Sequence, residues 1–182
     1  MSAASDFGKK VVVRFGITLV LGSAALLGLQ NKWEEGGKKI PEAGYRVYAD
    51  KLAKGLPTAC HGITGRATDE PVIVGDVWSV DRCERVLADV VSKTQYGLLD
   101  CIQAPMSQNT FDAMSSFAWN VGIPAACGSR AAALIEAGNL VDGCRAIAYT
   151  PDGRPNWSNA SGKFVQGLHN RRKDEAALCL KP

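Results

Sequence analysis

The chain opens with a run in which polar positions nearly vanish. "VVVRFGITLVLGSAALLGL", Val11 to Leu29, holds one charge, Arg14, and follows Lys9 and Lys10. This pattern predicts an N-terminal apolar helix, and a basic flank ahead of an apolar run is the arrangement of an export segment inserted with its N-terminus in the cytoplasm. Beyond Trp33 the pattern becomes strand-like. "YRVYAD" alternates, "LPTACHG" follows after the turn-prone "KLAKG", and together they predict a β-hairpin in a small sheet.

After Trp78 the spacing turns helical. Cys83, Val86, Leu87 and Val90 recur on one face, with Ser79 placed as N-cap. Ser107 or Asn109 can cap a helix carrying Phe111, Met114 and Phe117 on one side, and Ser129 can cap "RAAALIEAG", closed by Gly138. A last helix is expected from about Phe164 to Leu178, after the loop "TPDGRPNWSNASG". The expected fold is therefore α+β: a small N-terminal β-hairpin lobe, a larger helical lobe and a cleft between them, preceded by the N-terminal apolar helix. The expected division is residues 1–30 as the export segment and 31–182 as the folded domain.

The 182 residues suit one domain with an appendage. The formal charge of +3 lies in residues 1–32, where Lys9, Lys10, Arg14 and Lys32 oppose only Asp6. The rest is neutral overall, which argues against nucleic acid as a partner. Six cysteines are spread through the folded part without CxxC spacing. That pattern predicts three disulfides in an oxidising compartment, with the connectivity left open.

The apolar run is short and weakly hydrophobic for a permanent span, being interrupted by Gly16, Thr18, Gly22, Ser23 and Gly28. A cleaved signal peptide, a permanent anchor and a marginal helix that inserts and later leaves the bilayer all remain open. The last suits the Gly, Ala and Ser content best.

Candidate chemistry gathers between Trp33 and Gly62. Glycoside hydrolysis needs a protonated carboxylic acid beside the leaving oxygen and a second carboxylate across the cleft. Asp50 ends the first predicted strand and Thr58 lies on the return strand, where its hydroxyl can hold a water beside the carboxylate. The plain alternatives are a turn-capping aspartate and an ordinary strand threonine. Two histidines, His61 and His169, are too few and too ill-spaced for a catalytic zinc site, and no cofactor is implied.

"YADKLAKGLPTACHGITG" resembles the segment of phage lysozymes (endolysins) that reads approximately E-G-x6-Y-x-D-x5-T-x-x-x-G. "FDAMSSFAWNVG", Phe111 to Gly122, resembles their F-x-x-N-x-G helix, and "GLHNRRKDEAALC", Gly167 to Cys179, their terminal G-L-x-x-R-R-x-x-E. The N-terminal segment resembles that of the signal-arrest-release type. The resemblance implies a lysozyme-like fold with Asp50 and Thr58 in the site, but the motif's acid position falls on Pro41, which carries no proton. Glu42 stands next to it, yet Pro41 and the Gly36-Gly37 pair make a regular helix end there difficult. Glu35 precedes Gly36 as the family's acid precedes its glycine, and Glu34 is a further variant.

The implied function is a muramidase cutting the β-1,4 bond between N-acetylmuramic acid and N-acetylglucosamine of peptidoglycan during host lysis, by inversion. The implied protein is a monomer, held in the host inner membrane with its N-terminus cytoplasmic and then acting in the periplasm. The alternative is a disulfide-stabilised peptidoglycan-binding or regulatory domain of the same fold without turnover.

Overall fold

The computed structural model describes residues 10–33, 39–40, 43–51 and 53–182. Glu34, Glu35 and Glu42 lie outside these residues. The N-terminal run does not form a single apolar helix. Strands β1 (Val11–Arg14) and β2 (Ile17–Val20) pair as an antiparallel hairpin, and helix α1 spans Ala24–Trp33. Phe15 and Gly16 both take positive φ, 53° and 75°, which closes the tight two-residue turn that suits a twisted hairpin. The flanking β-branched residues favour extended backbone, and Leu19, Leu21 and Leu26 find buried places on the body of the protein. Among the described residues, no helix is long and apolar enough to cross a membrane.

Side chains from distant helices hold this segment. Gln108 accepts from the Val20 amide at 2.7 Å and donates to the Val20 carbonyl at 3.0 Å. Gln95 accepts from the Gly22 amide at 2.9 Å, and the Ser23 hydroxyl donates to Asp112 at 2.5 Å. Ser23 in turn caps the start of α1, accepting from Leu26 N. Arg14 donates to the carbonyls of Leu99, at 2.7 Å, and Ile102, at 3.2 Å, and to the Gln103 side chain. It thereby satisfies carbonyls that a helix C-terminus leaves open.

The predicted "YRVYAD" strand divides between two sheets. Strand β4 (Gly44–Arg46) lies between β3 (Lys39–Ile40) and β8 (Val77–Trp78), whereas β5 (Tyr48–Asp50) pairs with β6 (Leu56–Ala59), which pairs with β7 (Ile63–Thr64). Buried Val47 sits at the break. Gly44 has φ 117°, and a Cβ there would lie 2.0 Å from the Trp78 carbonyl oxygen, so the β4–β8 approach requires glycine.

The helical lobe follows the capping signals. Helix α2 (Val80–Cys101) starts at Ser79, α3 (Gln108–Val121) at Ser107 and α5 (Arg130–Glu136) at Ser129, each Ser accepting a backbone N–H. Short α4 is Ile123–Cys127, and α7 (Gln166–Cys179) closes the fold. Between α5 and α7 lies α6 (Leu140–Ala148), which the sequence reading missed. Its Asn139 cap makes no side-chain bond, and Gly143 interrupts the helical pattern. The glycine is there for contact, since a Cβ would meet Ile135 Cγ1 at 2.6 Å across the α5–α6 interface. The 149–165 loop contains a small hairpin, β9 (Asn159–Ala160) with β10 (Lys163–Phe164).

Among the described residues there are two cores. Val47, Ala59, Ile63 and Trp78 fill the small lobe, and Phe111, Met114, Phe117, Ile135 and Ile147 the large one. Helix α2, about 33 Å long at 1.5 Å per residue, contributes Cys83, Val86 and Val90 to the first and Leu98 and Leu99 to the second. It is the strut that fixes the lobes and leaves the cleft between them. The six cysteines pair as Cys60–Cys83, Cys101–Cys127 and Cys144–Cys179. The first ties the sheet to α2, the second ties α2 to α4, and the third ties α6 to α7.

Candidate active site

One wall of the cleft follows from strand register. Tyr48 pairs with Thr58, and Thr58 with Thr64, so three hydroxyl-bearing side chains form a row across β5, β6 and β7. Asp50 pairs with Leu56. Residues two apart on a strand share a face, so Asp50 and Thr58 are same-face diagonal neighbours. The seven residues between Asp50 and Thr58 are accommodated by a turn in which Lys54 and Gly55 take positive φ, and neither side chain leaves its strand.

All four side chains line a cavity of about 760 Å³. Its far wall is the end of α3 and the start of α4, with Trp119, Asn120, Ile123 and Pro124. Asn120 is exposed into this space, and Trp119 is the cleft-lining tryptophan among the described residues. Trp78, by contrast, is core, with the Arg82 guanidinium 4.0 Å over its ring.

Thr58 is 2% exposed, and its Oγ1 donates to the Leu56 carbonyl at 3.0 Å. With its proton so directed, the hydroxyl presents lone pairs and acts toward a water as an acceptor. Asp50 is half-buried, and its Oδ1 accepts from the Ala53 amide at 3.3 Å. The aspartate thus caps the hairpin turn and lines the cleft at once.

Charge is arranged around the rim. Glu70 is clamped by Arg82 and Arg85, each at 2.7 Å, and hydrogen bonds first from Arg85 and then from Arg82 hold its carboxyl below the usual range. Lys93 pairs with Asp69 at 3.0 Å, and Arg66 also lines the cleft. Deeper in the large lobe, Glu175 Oε1 accepts from Ser116 at 2.8 Å, Arg171 at 3.1 Å and Arg172 at 2.9 Å, all of them buried. Burial pushes the Glu175 carboxyl up in pKa, and Arg172 and Arg171 pull against it. The basic pair of α7 is therefore internal, not a solvated face. The His61 ring lies tilted against that of Tyr45 and His169 lies beside Ser158, and no group of three potential ligands for a metal occurs among the described residues.

Of the sequence candidates, Asp50 and Thr58 come together in the cleft; Glu35 and Glu42, like Glu34, lie outside the described residues. The sequence reading did not find Thr64 or Lys93 as cleft residues, and it did not single out Trp119 among the four tryptophans that could stack on sugar. The hydroxyl row was available in principle from the strand period, but only once the β6–β7 register was fixed.

Comparison with known proteins supplies the family. A sequence model of the phage lysozyme family matches residues 41–175. The endolysin of Bacillus phage PZA is 35% identical over 70% of this chain, which spans 47% of that protein's length. The SAR-endolysin of Pseudomonas phage phiKMV is 30% identical over 76% of this chain and 81% of its own. Among solved structures, the endolysin from Escherichia coli O157:H7 phage FAHEc1 superposes with TM-score 0.67 at 29% identity, covering 87% of this chain and 92% of that one. With its cleft, hairpin and helical lobe in this arrangement, the chain belongs to the phage lysozyme family.

Proposed function

We propose that the protein is an endolysin that hydrolyses the β-1,4 bond between N-acetylmuramic acid and N-acetylglucosamine in peptidoglycan. The observation that carries this reading is the placing of Asp50 and Thr58 as diagonal neighbours on one face of adjacent strands, where both line the cleft of about 760 Å³. A water held between them gives one hydrogen to the Thr58 oxygen and the other to the Asp50 carboxylate. Its lone pair is then directed at the anomeric carbon. As the C1–O bond breaks, a neutral glutamic acid protonates the departing oxygen and Asp50 takes the proton from the water, so the configuration inverts.

Glu35 is the favoured acid. It follows α1 by two residues, and the last turn of α1 is tied to α7 by the Lys32–Asp174 ion pair at 2.6 Å. Glu42 is the alternative, falling between β3 and β4 in the sequence.

The N-terminal segment serves in this reading as a membrane tether that later leaves the bilayer, and the protein then acts in the periplasm, as the signal-arrest-release resemblance implies. Its apolar character supports the inserted state, and the contacts of Gln95, Gln108 and Asp112 with residues 20–23 support the released one. The active form is a monomer.

The test is turnover of isolated peptidoglycan by purified protein. Asp50→Asn and Glu35→Gln are each expected to reduce kcat by about 10²- to 10⁴-fold, with α-anomeric product released first by the parent protein. Activity retained in Glu35→Gln but lost in Glu42→Gln transfers the acid role. Binding of peptidoglycan without turnover by the parent protein supports the non-catalytic alternative instead.

A further inference from the structure

A second cavity adjoins the cleft. It measures about 330 Å³ and shares Thr68, Asp69, Val90 and Lys93 with the larger one. It lies over α2, where Asp89, Lys93 and Tyr96 follow one another at helical spacing along one stripe. Val86 and Val90 form its apolar floor. The opposite wall is the Thr68–Glu70 loop, which the Arg82 and Arg85 contacts of Glu70 fasten to α2. The side groove is therefore built before any ligand arrives.

Its charges are ready for exchange. Lys93 and Asp69 are 59% and 97% exposed, and so solvated a pair contributes little and separates readily. Tyr96, 48% exposed, offers an aromatic face at one end, and exposed Asp89 lies one turn from Lys93.

A peptidoglycan strand is uncharged along its sugars. Its ionised groups sit on the short peptide that leaves the lactyl ether of each muramic residue: carboxylates and, where the stem contains a diamino acid, an ammonium group. A strand lying along Asp50 and Thr58 must send that peptide sideways. We infer that the groove over α2 binds the peptide stem of the substrate, with Lys93 taking a stem carboxylate, Asp69 and Asp89 taking the ammonium group, and Tyr96 packing on the peptide. Transfer of Lys93 from Asp69 to the incoming carboxylate leaves Asp69 beside Asp89 for the cation, so charge balances on both sides. The inference rests on the muramidase reading for the direction of the strand.

The experiment titrates the whole chain with the free tetrapeptide stem containing diaminopimelate and follows backbone amides by NMR. Shifts are expected at residues 66–70 and 86–96, and Lys93→Glu is expected to weaken binding at least tenfold. In parallel, kcat/KM is measured on peptide-bearing glycan and on glycan stripped of peptide by an amidase. The parent protein is expected to favour the peptide-bearing strand, and Lys93→Glu and Tyr96→Ala to lower that ratio at least fivefold. No tetrapeptide shifts in the groove, or a parent ratio near one, or variants that keep the parent ratio, overturn the inference. Absence of turnover on both substrates overturns the muramidase reading alone, because the NMR titration needs no catalysis and still decides whether the groove takes the stem.

Discussion

Replacing Gln108 with Met removes a clasp while keeping the side chain's volume nearly constant. Gln108 binds both the N–H and the carbonyl of Val20 and donates to Asp112 at 2.8 Å. The methionine leaves two half-buried backbone groups and one buried carboxylate oxygen without this partner. Each lost bond is worth about 1 kcal/mol net, and more where the group stays dry. About 2 to 4 kcal/mol of local stability should be lost, which at 1.4 kcal/mol per decade accelerates opening by roughly 30- to 700-fold. The assay is native-state hydrogen exchange. Val20 and Leu21, whose amides bond to Gln108 and to the Lys10 carbonyl, should exchange faster by this factor. The α3 core amides around Met114 should change little. Equal acceleration at all amides, or no change at Val20 and Leu21, would refute a clasp that holds the N-terminal segment as its own unit.

Other perturbations test the interior. Glu175→Ala leaves Arg171 and Arg172 buried without their shared carboxylate and should cost about 3 to 5 kcal/mol in urea unfolding; a loss below about 1 kcal/mol would contradict the triad. Replacing both Cys144 and Cys179 with Ser opens a link across 35 positions and should lower stability by about 4 kcal/mol, visible as a reduced urea midpoint. Asp112 has its pKa raised by burial, against hydrogen bonds from Ser23 and Gln108. The folded state therefore holds this proton more tightly than the unfolded chain. Stability should fall as pH rises from the ordinary value of 3.8 through the raised folded value, and Asp112→Asn should flatten that slope in denaturation measured at several pH values.

Much of the framework was legible in the chain because it depends on local chemistry. Serines 79, 107 and 129 cap helices because a hydroxyl can meet amides within its own turn, and the hairpin joining Asp50 to Thr58 follows from alternation and turn residues. The even cysteine count announced three bridges but not their partners, since pairing depends on which helices meet in space. The same limit hid α6, whose Gly143 is unfavourable in isolation and useful only against Ile135.

The N-terminal run marks the boundary most clearly. By itself it determined an apolar segment with a basic flank, a pattern that can insert in a bilayer. Only the tertiary structure decided that residues 10–33 form a hairpin and a helix, because Gln95, Gln108 and Asp112, more than 70 positions away, supply the hydrogen bonds that the segment cannot make for itself. Apolar pattern is a property of the chain, whereas the satisfaction of its backbone polar groups belongs to whatever surrounds it.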